Sequence, residues 1–154
     1  MRRIAMIAAI VLLSNVGHVE AVVLFDDGGI HYIDYTISDS VEVRDDFFFG
    51  NPTTVNLLSG GHIGSELAVY GDSQAIISGG TVNEALRSYD NGQITIFSGD
   101  CGYLSTYGNS QAVIDRGTVI GIGISDTSRV TISGGLIEFH LYSYGNSQVE
   151  ITGG

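Results

Sequence analysis

The residues that could do chemistry fall into four sets. Tyr70, Tyr89, Tyr107 and Tyr144 each close a Leu-x-x-Tyr element, with Phe49 as a candidate upstream member and Ser125 as a gap in the series. An outward row of such rings would stack on sugar rings or on another protein. Alternatively, each Tyr closes a corner and packs on the copies above and below it. The sequence leaves both readings open. The carboxylates include the adjacent pairs Asp26/Asp27 and Asp45/Asp46, and Asp72, Asp90, Asp100, Asp115 and Asp126 fall in turn-like stretches. Polysaccharide lyases and hydrolases work with paired carboxylates and basic residues in a groove between long loops. Here the turns are short, lysine is absent, and Arg44, Arg87, Arg116 and Arg129 are scattered. Solvated turn acids are therefore expected.

His31, His62 and His140 show no metal-ligand spacing. No Ser-His-Asp order, phosphate loop or Cys-x-x-Cys is present. The single Cys101 has no partner for an internal disulfide, so it is expected as a free thiol. No catalytic residue, metal or cofactor is assigned.

The elements that must position these residues come from an internal repeat. LAVYGDSQ (67–74), LRSYDNGQ (86–93), LSTYGNSQ (104–111) and LYSYGNSQ (141–148) are copies of one unit, and IGISDTSR (122–129) is a degraded copy. Their starts are separated by 19, 18, 18 and 19 residues. A strand-like stretch follows each copy and ends in a small turn such as Ser78-Gly79-Gly80 or Ser133-Gly134-Gly135. Upstream, Phe49-Gly50-Asn51 resembles Tyr-Gly-Asn, Ser38-Asp39-Ser40 resembles Gly-Asn-Ser ahead of Val41-Glu42-Val43, and Gly28-Gly29 resembles an early Gly-Gly turn.

Alternation sets the geometry. Val55/Leu57, Ala75/Ile77, Ile94/Ile96, Ala112/Ile114, Val130/Ile132 and Val149/Ile151 are expected to face inward. Leu58 and Phe97 read as one-residue bulges before the turn. Strands this short bury a face only by stacking. The expected fold is all-β, a parallel β-solenoid (β-helix) spanning residues 22–154, with about seven coils of roughly 18.5 residues. Inward aliphatics form ladders, and outward Gln74, Gln93, Gln111 and Gln148 fall in one row. Leucine-rich and calcium-binding nonapeptide patterns are missing, and the irregular aliphatic spacing disfavours a left-handed hexapeptide helix, so a right-handed coil is favoured. Glycine at 22 of 154 residues disfavours a helical bundle.

Residues 1–21 read as a secretory signal peptide: Arg2 and Arg3, then the apolar run Ile4 to Leu13, then Val19-Glu20-Ala21 at the cleavage site. The apolar run is too short to span a bilayer. Losing Arg2, Arg3 and Glu20 takes the formal net charge from −11 to −12. Nucleic acid and anionic membrane surfaces are thereby disfavoured as partners. The repeat grammar runs to Gly153-Gly154, which suggests truncation at the C-terminal end and leaves an open coil for end-to-end self-association.

YGDSQAIISGG (70–80) and YGNSQVEITGG (144–154) resemble the tandem repeats of secreted bacterial β-helix proteins of unassigned function, which often carry a PEP-CTERM sorting signal. They are also loosely similar to the Gly-Gly-punctuated repeats of autotransporter-type adhesin passengers. The resemblance covers residues 50–154 well and 22–49 poorly. This chain lacks a Pro-Glu-Pro motif, a terminal apolar span and a translocator barrel. The resemblance implies a secreted, extracellular or cell-surface, non-catalytic adhesin-like rod that meets polysaccharide or surface proteins. The alternative is a carbohydrate-binding or polysaccharide-degrading (pectate-lyase-like) β-helix protein.

Overall fold

The computed structural model describes residues 21–153. The expected leader, residues 1–21, lies outside them apart from Ala21. Among the described residues there are fourteen strands and no helix, and every strand pairing is parallel. The chain is a parallel β-solenoid of about seven turns. Each coil has three sides. Taking coil one from Ile30, six complete coils lie between Val22–Phe25, which pairs below the first, and Gln148–Ile151, which pairs above the last.

Three inward columns make the core. On the first side, Ile33, Leu57, Ile77, Ile96, Ile114, Ile132 and Ile151 are in register from coil to coil. The first five are at most 1% exposed and Ile132 is 6% exposed, while Ile151 reaches 66% at the last described strand. The second side aligns Ile37, Ile63, Val82, Cys101, Val119 and Ile137. The third aligns Val23, Val41, Leu67, Leu86, Leu104, Ile122 and Leu141. Each buried aliphatic contributes about 1.5–3 kcal/mol by leaving water, before ordering entropy is subtracted. The residues between inward partners, such as Thr95 and Val113, point outward, as alternation requires. Phe97 is the extra residue at a register shift, 43% exposed, which agrees with a bulge.

Two corner types turn the chain. The corners after the first side, Ser-Gly-Gly in three coils, Ser98-Gly99-Asp100 and Asp115-Arg116-Gly117 in the others, place Gly60, Gly80, Gly99, Gly117 and Gly135 at positive φ. The corner after each Tyr uses a left-handed residue as well, filled by Gly71, Asp90, Gly108, Asp126 and Gly145, and aspartate is among the few side chains that accept it. Just beyond, Thr53, Ser73, Ser110 and Ser128 are fully buried and bond to backbone or to each other's coils, as in Thr53 N–H to Ser73 Oγ at 3.0 Å. The buried Ser88 Oγ lacks a partner.

The upstream frame differs from the sequence expectation. Val41-Glu42-Val43 pairs with Leu67-Ala68-Val69, so it belongs to the third side rather than to the strand after an Asn-Ser corner. Ile30–Ile33 is the first-side strand of coil one. Gly28-Gly29 sits at the corner after the Tyr position: the Thr54 N–H bonds to Gly29 O, as the Gln74 N–H bonds to Thr53 O. The cause is an insertion. Between matched third-side and first-side strands, coil one needs ten residues (44–53) to reach coil two, where coil two needs only four (70–73) to reach coil three. The surplus carries Phe47, Phe48 and Phe49, each more than 80% exposed.

Cys101 belongs to the second-side core column and is 4% exposed. Burial, with the Asp100 charge beside it, pushes its thiol up to about 12. A raised folded value means the neutral thiol is kept while the unfolded thiol ionises. The group therefore has no pH effect well below 9 and lowers stability as pH rises above that value. The expected result is that a chromogenic disulfide reagent at pH 8 modifies no thiol in the native protein and one per chain in denaturant.

Candidate functional site: an aromatic corner

Each tyrosine of the series follows a strand end, buried at Val69, Ser88 and Thr106 and exposed at Ser143, and precedes a left-handed corner residue. Backbone bonds fix the column: the Tyr70 N–H donates to Val43 O at 2.9 Å, Tyr89 to Val69 O at 2.9 Å, and Tyr107 to Ser88 O at 2.9 Å. Ser125 donates to Thr106 O at 3.0 Å and Tyr144 to Ile124 O at 2.8 Å. The coil spacing becomes a ring spacing. Tyr70 and Tyr89 stack with centroids 4.8 Å apart and planes 7° apart, and Tyr89 and Tyr107 at 5.0 Å and 8°.

The column continues downward with Arg44, not Phe49. The Arg44 N–H donates to Phe25 O as its counterparts do one coil up, and its guanidinium carbon lies 4.7 Å from the Tyr70 centroid. This is a cation–π cap. Glu42 holds the guanidinium at 2.7 Å. Burial, followed by the charge of Glu42, raises the Tyr70 hydroxyl, which stays protonated. Phe49 is 81% exposed on the inserted loop and takes no part. Only the register, displaced by that insertion, distinguishes Arg44 from Phe49. The nearest sequence signal was Val41-x-Val43 matching Leu67-x-Val69.

This arrangement decides what the row can offer. A sugar stacks on the face of a ring, not its edge. Both faces of Tyr89 are covered by Tyr70 and Tyr107, and both faces of Tyr70 by Arg44 and Tyr89. Tyr107 has one face open, toward Ser125. Tyr144 is separated from the stack by the Ser125 coil; it is 63% exposed, with Tyr142 as its ring neighbour at 6.3 Å. The structure thus brings together Tyr70, Tyr89 and Tyr107 and leaves Tyr144 apart. Removing the middle ring breaks two stacked pairs, each worth about 0.5–1.5 kcal/mol beyond area burial. Tyr89→Ala is therefore expected to lose about 2–4 kcal/mol in urea denaturation, and Tyr144→Ala under about 1 kcal/mol.

Several of the turn acids are fasteners rather than merely solvated groups. Asp45 accepts from the Asp72 N–H at 3.0 Å and from Ser73 Oγ at 2.7 Å, tying coil one to coil two. Asp72 accepts from Asn91 Nδ2 at 2.9 Å, and Asp126 from the Gly108 N–H at 3.0 Å. Asp46 shapes the phenylalanine loop by accepting from the Phe48 N–H at 2.7 Å. Asp27 accepts from His31 Nε2 at 2.7 Å and from the Gly29 N–H at 2.9 Å. Burial works to raise Asp27, but these bonds outweigh it and its carboxyl lies below the usual range. Gln74, Gln93, Gln111, Arg129 and Gln148 form one outward column, in which Arg129 Nη2 donates to Gln148 Oε1 at 2.6 Å. Among the described residues no three His, Cys, Asp or Glu side chains converge as a metal-binding set.

The fold and this corner define the class: a three-sided parallel β-solenoid with an inter-coil aromatic ladder. No family model, no curated protein and no solved structure matched the chain.

Proposed function

We propose that this protein is a secreted, cell-surface, non-catalytic solenoid that acts as a stiff spacer or adhesin-like rod. One observation carries this reading: most of the residues that recur from coil to coil are engaged in contacts between coils. The inward aliphatics fill the columns, three of the repeated tyrosines stack on one another, and buried serines fasten the corner. A repeat selected for such contacts is selected for rigidity. Seven turns at the parallel-strand spacing give a rod of about 34 Å along the axis. The basic and apolar start of the sequence supports export, and the acidic surface supports solubility outside the cell.

The test is expression of the full chain in a bacterial host, followed by fractionation and N-terminal sequencing. The expected product begins at Val22, is reached by externally added protease or antibody, and releases no reducing or unsaturated sugar from acidic polysaccharides. Cytoplasmic protein retaining Met1, or release of such sugars, overturns the reading.

A further inference from the structure

The outer edge between the second and third sides holds a notch of about 370 Å³. Its polar lining includes Thr81, Asn83, Asp100, Thr118 and Glu138. Repeat length creates it. From the inward residue of the second side to that of the third, coil three takes four steps (Val82 to Leu86) and coil six takes four (Ile137 to Leu141). Coils four and five take three, from Cys101 to Leu104 and from Val119 to Ile122. The register shifts at these points. Two short corners, Gly102 and Ile120, therefore form a floor between two longer corners, Asn83-Glu84 and Glu138-Phe139. The walls stand three coil spacings apart, about 14 Å. Gly102 is needed where wall meets floor, because a Cβ there would collide with the Glu84 carbonyl oxygen and lie 2.8 Å from Asn83 O.

An aromatic shelf adjoins the notch on the third side. Tyr103 follows Gly102 directly, its ring 5.8 Å from that of His140, and His140 lies 4.6 Å from Tyr142. Tyr103 is 46% exposed and Tyr142 52%. Unlike Tyr70 and Tyr89, Tyr103 is not clamped between parallel rings.

The chemistry selects the ligand class. Carboxylates, hydroxyls and an amide suit a ligand rich in hydroxyl donors, and aromatic faces suit its C–H surfaces. No arginine or lysine lines the notch, and its carboxylates Asp100 and Glu138 disfavour an anionic ligand. We infer that the notch and shelf form a binding site for a neutral oligosaccharide, with Asp100 and Glu138 accepting from sugar hydroxyls and Tyr103 carrying a ring face. This stands apart from the spacer reading, since a rod needs no such site.

The test uses the full chain on an array of neutral glucans, mannans and galactans, with polygalacturonate and alginate as anionic comparators. The best neutral oligosaccharide then goes to titration calorimetry. Asp100→Asn, Glu138→Gln and Tyr103→Ala alter exposed positions, and an unchanged circular dichroism spectrum checks their folding. Each is expected to weaken binding about tenfold, the loss of one good contact, while Asp115→Asn on a different corner stays within about twofold. Absence of neutral-glycan binding up to about 10 mM, a preference for the anionic polymers, or affinities unmoved by all three variants overturns the inference.

Discussion

Ile96→Ala is expected to lose about 2–5 kcal/mol of stability, and Ile96→Asp is expected to leave no folded population at room temperature. Ile96 lies at the middle of the first-side column, fully buried, with Ile77 one coil below and Ile114 one coil above. Truncation removes contacts to both neighbours and leaves a cavity that parallel-bonded backbones cannot close. The aspartate would be a charge with no partner in an aliphatic column. In a stacked array each coil is stabilised by its neighbours, so the damage spreads along the axis instead of staying in one loop. Urea denaturation of Ile96→Ala, with Val113→Ala as comparison, checks this. Val113 is 39% exposed on the outward face, and its truncation is expected to change stability by under about 1 kcal/mol. Equal losses at the two positions would contradict the inward and outward assignment.

Gly99→Ala is expected to lose about 3 kcal/mol or more, and Gly50→Ala only about 1 kcal/mol. Both glycines have positive φ, at +111° and +65° respectively, so both carry the conformational penalty of an L side chain. They differ in what surrounds them. A Cβ on Gly99 would lie 2.6 Å from the Gly80 carbonyl oxygen and 3.1 Å from the Gly79 carbonyl, atoms of the coil beneath. Relieving that contact means separating two coils. A Cβ on Gly50, on the inserted phenylalanine loop, meets nothing within 4 Å. The difference between the two variants therefore combines inter-coil packing with the costlier backbone angle of Gly99, which lies outside the left-handed well that Gly50 occupies. Matching losses in denaturant titrations would show that the corners do not stack closely.

The core columns were legible in the sequence because alternation at a steady spacing fixes which residues share a side. Ala75, Ile94, Ala112 and Val130 fall in one buried line, as that spacing requires. The aromatic corner was legible in part. The Tyr series marked its position, but ring direction depends on where the corner bends, which alternation alone does not settle. The frame of residues 22–49 is hidden in the sequence because an insertion with its own Phe-Gly-Asn triplet imitates a corner. The true counterpart of Tyr70 is Arg44, which shares no residue type with it. Asp45 and Asp72 read as solvated because their partners, Ser73 and Asn91, lie one coil away and are invisible to local composition. The notch was present in the 19, 18, 18, 19 spacing, yet a residue missing from a period does not reveal which corner has lost it.

The stacked dry columns underlie all of these expectations, and methyl-labelled isoleucine NMR tests them most directly. With Ile δ1 methyls labelled in an otherwise deuterated chain, the account predicts a chain of cross-peaks linking Ile77 to Ile96, Ile96 to Ile114 and Ile114 to Ile132, with no direct Ile77 to Ile114 contact of similar strength. Cross-peaks absent between neighbouring coils, or these methyls broadened by a solvent-exposed paramagnetic agent, would contradict it.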